Sequence, residues 1–203
     1  MAKAKSLIFI LIFLLSGVIY AEARLDQQKI PISDEFDFRG VRWGMSLGEV
    51  VKSETNDPFE IYDKILVYKV QLNNADFKLW YYFIHGQELS AASFILDQKY
   101  TNDNNYVQLY LQLSEQLTKK YGNPTLDEIK WSKALYKDKE EYLGHAYSLG
   151  HVETNKKWET PTTIITAAIA GENLDIFGGL DYESKKHFDE MEKLREDDAL
   201  GSL

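Results

Sequence analysis

From Tyr106 to Tyr121 apolar side chains recur at spacings of three and four, through Leu109, Tyr110, Leu113 and Leu117, with stretches of period-two alternation on both sides. A helix with one buried stripe, set between β-runs, can make a core in few ways: the stripe has to lie on a sheet. Both ends of the helix are marked. Asn102 or Asp103 can cap it, Lys119 and Lys120 put positive charge at the negative end of its dipole, Gly122 suits a left-handed C-cap, and Pro124 forbids continuation.

The flanking segments read as follows. Phe38 to Met45 is a short apolar opening strand, and Ser46 with Glu49 three places on has the capping-box pattern for a helix running to about Glu54, which Asn56-Asp57-Pro58 ends. Three strands follow, at Tyr62 to Leu72, Phe77 to Ile84 and Leu89 to Leu96, turning at Asn73-Asn74 and at His85-Gly86. After the long helix, four more strands are expected near Glu128 to Leu135, Leu143 to Thr154, Thr162 to Ala170 and Leu174 to Tyr182. Gly178-Gly179 marks a bulge or a close backbone approach in the last of them. The order predicts an α+β fold: an antiparallel sheet with helices on one face across 36–183. Because each half has a helix, a proline-containing turn and a meander, the order also suggests two tandem α-βββ modules, at 36–100 and 101–183. An acidic helix and tail should occupy 184–203.

The N-terminus carries a different message. Lys3 and Lys5, an apolar run from Leu7 to Leu15, and Ala21-Glu22-Ala23 have the form of a secretory signal peptide over residues 1–23, with a flexible lead-in at 24–35. An uncleaved membrane anchor is the competing reading, but Ser16 and Gly17 interrupt the run and Glu22 and Arg24 close it well short of about 20 apolar residues. Cleavage after Ala23 leaves about 180 residues, enough for one domain or two small modules. The chain has no cysteine, which removes disulfides, thiol catalysis, thiolate metal sites and lipidation at a new N-terminal cysteine. Exported domains that fold without disulfide staples point to a bacterial envelope compartment. With a formal charge of -9, the chain repels polyanions, so nucleic acid is an improbable partner.

No reaction is demanded by any residue constellation. Ser148, in Tyr147-Ser148-Leu149-Gly150, lacks the first glycine of a nucleophile elbow. His145 and His151 share a parity, yet one strand would hold them roughly 20 Å apart, beyond the reach of one ion. A sharp turn at Gly150 is the arrangement that brings them together. His85 reads as a turn residue and His187 as part of a solvated helix face. Asn102-Asp103-Asn104-Asn105 lacks the glycine and terminal acid of an EF-hand and suits helix capping. No phosphate-binding glycine loop is present, and the carboxylates are too numerous for any pair to be singled out. No catalytic residue, cofactor site or metal site is therefore nominated.

The one feature with functional content is aromatic. Trp80, Tyr81, Tyr82 and Phe83 alternate between the two faces of a strand, so one pair enters the core. If helices leave the other face uncovered, Trp80 and Tyr82, joined by Tyr68 or Tyr62, make a partner-binding patch. The competing expectation is a sheet covered on both faces.

Two segments also carry a resemblance. Phe38-Arg39-Gly40-Val41-Arg42-Trp43-Gly44-Met45-Ser46 with Glu49-Val50 resembles the opening motif of uncharacterised bacterial secreted proteins, in which a Trp-Gly-Met-Ser/Thr strand end leads into a helix carrying Glu-Val. Lys120-Tyr121-Gly122-Asn123-Pro124 with Trp131, then Trp158-Glu159-Thr160-Pro161, is similar to the second half of that group. More distantly, the helix-and-strands arrangement resembles the modules of the outer-membrane assembly lipoprotein family and of β-lactamase-inhibitory protein. The resemblance implies an α+β fold and a role in gripping other proteins without catalysis; membrane attachment does not carry over, because the lipidated cysteine is missing. The expectation is a soluble, exported, periplasmic or secreted protein with a protein or envelope component as partner. An envelope hydrolase whose site assembles from distant residues is the alternative, and a small-ligand carrier a third reading.

Overall fold

A computed structural model describes residues 36–62, 64–84, 87–190 and 193. The leader expected at 1–23, the lead-in at 24–35 and the turn at His85-Gly86 lie outside the described residues, as does most of 184–203. Among the described residues no helix is long and apolar enough to cross a membrane.

The fold is α+β, built on one eight-stranded antiparallel sheet. In chain order the elements are α1 (Leu47–Ser53), β1 (Glu60–Tyr62), β2 (Ile65–Leu72), β3 (Ala75–Ile84), β4 (Glu88–Leu96), α2 (Asn104–Tyr121), β5 (Leu126–Trp131), a 3-10 turn (Glu140–Tyr142), α3 (Leu143–Ser148), β6 (Val152–Glu159), β7 (Thr163–Glu172) and β8 (Asp175–Ser184). Across the sheet the strands run β1-β2-β3-β4-β8-β7-β6-β5. Each set of four consecutive strands is a meander, and the two meanders join through β4 and β8, with Ser93 opposite Asp181.

Local chemistry accounts for most of these boundaries. Ser46 and Glu49 form the expected capping box: Ser46 Oγ accepts from the Glu49 backbone, and the Glu49 carboxylate accepts from the Ser46 backbone at 2.8 Å. The Ser46 hydroxyl also donates to that carboxylate at 2.7 Å, and this bond, followed by the backbone one, holds the Glu49 carboxyl below its ordinary range. Removing the cap with Ser46→Ala should lower the melting temperature by about 2–4 °C, read by thermal unfolding, with the native far-UV spectrum retained. Asn73 and Asn74, at φ 50° and 61°, make the two-residue turn between β2 and β3. Asn173 and Leu174 repeat it between β7 and β8 at φ 51° and 65°.

Helix α2 starts and stops where its sequence indicates. Its buried residues include Tyr106, Leu109, Tyr110, Leu113 and Leu117, and Gly122 at φ 85° ends it. In the cluster Asn102 to Asn105, Asp103 is the N-cap residue but its side chain makes no capping bond, and Asn102 Oδ1 accepts from the Asn104 backbone at 3.0 Å. Asn104 Oδ1 accepts from the Gly144 backbone at 2.7 Å and so ties α2 to α3. A Cβ at Gly144 would overlap the backbone of Asn104.

Four sequence expectations need correction. Phe38 to Met45 is not a strand but a tight turn closed by one bridge between Phe38 and Val41, because Arg39 takes φ 52°. The first meander has four strands, since a short edge strand β1 precedes β2. Leu143 to Ser148 is helix α3, and β6 starts only at Val152; the spacing of Leu143, Ala146 and Tyr147 suits one helical face, and Ala146 and Tyr147 enter the core. Ser184 closes β8, a turn covers 185–187, and the helical segment begins at Phe188. Gly178-Gly179 meets one of its two alternatives: β7 and β8 pair straight through both glycines without a bulge, while a Cβ at Gly178 would stand 3.1 Å from the Ala168 carbonyl oxygen, a close backbone approach.

One large core holds alternate residues of the strands. Phe77, Leu79 and Tyr81 of β3 share it with the stripe of α2, with Val50 of α1 and with Ala146 and Tyr147 of α3. Ile84 and Ala91, with Tyr82 against them, form a separate small cluster. The strand residues in the large core define the first face of the sheet, and the opposite parity defines the second.

Candidate binding face

On β3 the odd-numbered side chains from Ala75 to Phe83 are buried while Asp76, Lys78, Trp80 and Tyr82 alternate with them. Trp80 and Tyr82 thus stand on the second face, their rings stacked at 6.2 Å and 24°. Register extends the group: Tyr62 of β1 pairs with Ile65, and Ile65 with Tyr82, so these three lie in one row across the sheet. Val67 and Trp80 make the next row, with Glu60 beyond. The Tyr62 hydroxyl donates to the Glu60 carboxylate. At the margin, Lys69 Nζ sits 3.8 Å from the Phe59 ring centroid.

Tyr68 does not join them. It is on the other parity of β2, 2 % exposed, with its ring edge-on to Tyr81 at 5.9 Å in the main core. The reason is the period of two: a residue can share a face with Trp80 only at Ile65, Val67 or Lys69 of the neighbouring strand. Phe59 and Ile61, which the sequence pattern does not single out, extend the apolar surface to the edge, where they and Tyr62 are 47 %, 61 % and 41 % exposed. The visible signal was an aromatic-rich Phe-Glu-Ile-Tyr run directly after Pro58.

Behind this face, the first face carries a buried polar contact. The Tyr81 hydroxyl donates to the Glu54 carboxylate, which Arg39 Nε also meets at 3.3 Å. Burial, then the Glu54 bond, pushes the Tyr81 phenol well above its ordinary value. This links α1, the Phe38–Val41 turn and β3, and so fixes the strand that presents Trp80 and Tyr82.

Two of the histidines meet elsewhere. Because α3 replaces the expected strand, His145 and His151 both reach Tyr136, with ring centroids 5.6 and 5.9 Å away. His145 Nδ1 lies 3.4 Å from Ser148 Oγ and 3.8 Å from Asp103. This is not a catalytic relay, since the serine and the acid approach the same ring nitrogen and a relay needs one on each. Ser148, moreover, donates its hydroxyl proton to the His145 carbonyl at 3.0 Å and is 1 % exposed. Among the described residues, no three of His, Asp and Glu could hold one metal ion. The cavity between α2 and the sheet, lined by Phe77, Leu109 and Ile176 among others, has a volume of about 20 Å³. That is room for about one water, against several hundred Å³ in a typical ligand site.

Comparison with protein-family models, curated proteins and solved structures finds no match to this chain.

Proposed function

We propose that this is an exported bacterial envelope protein that binds another protein through the β1–β3 end of its sheet, without catalysing a reaction. The observation that carries the reading is the aromatic group Phe59, Tyr62, Trp80 and Tyr82, part of it solvent-exposed at a sheet edge. Aromatic side chains bring large contact area at low entropic cost, and binding energy concentrates on them. Export is read from the leader sequence, and the gripping role also draws on the resemblance to binding modules. We read each helix-and-meander half as one module: α1 with β1 to β4, and α2 with β5 to β8, the helices covering a single face. The common centre would then be the β4–β8 pair, leaving each outer end free to differ.

The hydrolase alternative has its best support in the His145, Ser148 and Asp103 grouping, and its weakness is the shared nitrogen described above. The carrier alternative is disfavoured by the small cavity.

The test is quantitative capture from envelope extract, with the parent chain and with Tyr62→Ala and Trp80→Ala combined. A specific partner should be retained by the parent and weakened at least 30-fold by the double exchange, the effect of losing about 2 kcal/mol. A partner held equally by both chains would reject this surface. Unchanged unfolding midpoints serve to separate lost binding from lost folding.

A further inference from the structure

Strand β5 closes one end of the sheet and β1 the other, and the two edges differ. β1 has three residues, whereas β5 runs for six, with no strand among the described residues on its outer side. An open strand offers its outward N–H and C=O groups to another chain. Which groups these are follows from the inner side. The Ser132 N–H donates to the His151 carbonyl at 2.9 Å, in line with the pairing of Trp131 with Val152. The Thr160 N–H, donating to the Thr163 carbonyl on the far side of β6, requires the same phase. Backbone groups of an antiparallel strand alternate between its two sides, so Leu126, Glu128 and Lys130 turn theirs to β6, and Asp127, Ile129 and Trp131 turn theirs outward.

The side chains add a charge pattern. Ile129 is 60 % exposed and lies on the first face, in the row of Thr154 and the core residue Ile169. Glu128 and Lys130 stand on the second face, in contact at 3.1 Å. Charges on an open edge normally keep other strands away. Against a second copy of the same strand, set antiparallel, their effect depends on register. Outward groups have to meet outward groups, so Asp127, Ile129 and Trp131 can only lie opposite one another. With Ile129 opposite its own copy, Glu128 faces Lys130 on both sides of the two-fold axis, and four charges alternate in sign. Sliding one strand by two residues sets Glu128 against Glu128, or Lys130 against Lys130. Attraction therefore selects a single register, the one that brings the two exposed isoleucines together.

We propose that β5 is a dimerisation edge: two copies of this chain pair through antiparallel β5 strands centred on Ile129, with reciprocal Glu128 to Lys130 contacts. Dimerisation is independent of the partner-binding reading. Where that reading holds, the dimer presents two β1–β3 ends, one at each far edge of the joined sheet.

Sedimentation of the full chain between about 1 and 100 µM tests the contact. The parent should dimerise. Glu128→Lys and Lys130→Glu each place like charges at both cross-strand pairs, and each should raise the dimer dissociation constant at least about tenfold. An equimolar mixture of these two variants restores opposite charges at both pairs and should dimerise like the parent. Ile129→Pro removes an outward N–H and none of the inner ladder, so it should leave a monomer with the urea midpoint kept, and it reads the contact should a charge variant unfold. A parent that stays monomeric at about 100 µM overturns the proposal. Equal association of parent and single variants, or a mixture that stays apart, also overturns it by assigning any contact to another surface. None of these outcomes involves the partner, so loss of the dimer and loss of capture at Tyr62 and Trp80 are separate results.

Discussion

Trp158→Ala is expected to cost the fold about 3–5 kcal/mol, a large share of the roughly 5–15 kcal/mol that holds an ordinary domain together. Trp158 is 1 % exposed, the largest of the fully buried side chains, and it pairs with Ile165 on β7. Its indole N–H donates to the Gly122 carbonyl at 3.1 Å, at the C-terminal end of α2. The alanine variant therefore opens a cavity and leaves a helix-terminal carbonyl without its donor, two losses at one position. Trp158→Phe separates them: most of the ring volume stays while the bond goes, so a loss of only about 1–2 kcal/mol is expected. Urea unfolding followed by far-UV circular dichroism measures both. A Trp158→Ala midpoint within error of the parent would mean that β6 and the end of α2 are not packed as described.

The fold should also fail in alkali, and cooperatively. Burial pushes the phenols of Tyr81, Tyr110 and Tyr182 above their ordinary value of 10.0, with the Glu54 bond adding to the rise at Tyr81 and the neighbouring Tyr121 at Tyr182. A group whose pKa is higher folded than unfolded leaves stability intact below the unfolded value and removes it as pH climbs beyond. The vulnerable window therefore opens at about pH 10. Each such phenol costs about 1.4 kcal/mol per pH unit there, and three together about 4. Global unfolding is expected between about pH 11 and 12. Phenolate absorbance and far-UV circular dichroism recorded together decide it: the buried phenols should ionise in the same step that loses the secondary structure. Complete ionisation near pH 10 with a native spectrum would refute the burial of these three rings.

How far the fold could be read in advance depended on whether the signal was local. Helix α2 was legible because its stripe, its cap cluster and Gly122-Asn123-Pro124 all sit within one segment. The Ser46 capping box and the Asn73-Asn74 turn were legible for the same reason. Leu143 to Ser148 misled because a six-residue apolar segment fits either period, and the contact that decides it comes from Asn104, forty positions earlier. The Phe38 to Met45 segment misled because its turn rests on Arg39 at positive φ, a conformation that residue type does not announce.

For the candidate binding face the division is sharper. Alternation alone separates Trp80 and Tyr82 from Tyr81 and Phe83, yet a run apolar at both parities is silent about which pair meets the helices. The pairing of Tyr62 with Ile65 and of Ile65 with Tyr82 gathers residues from three strands, which no single-strand pattern contains. The same pairing sends Tyr68 into the core.

Taken by itself, the sequence determined the elements whose stabilising contacts are near neighbours: the long helix, its stops, the cap of α1 and the tight turns. Tertiary structure alone decided that the two meanders join through β4 and β8, that odd-numbered residues of β3 enter the main core, and that two histidines meet at Tyr136. The physical reason is that strand pairing and face selection are contacts between distant segments, whose free energy is realised only when both partners are in place.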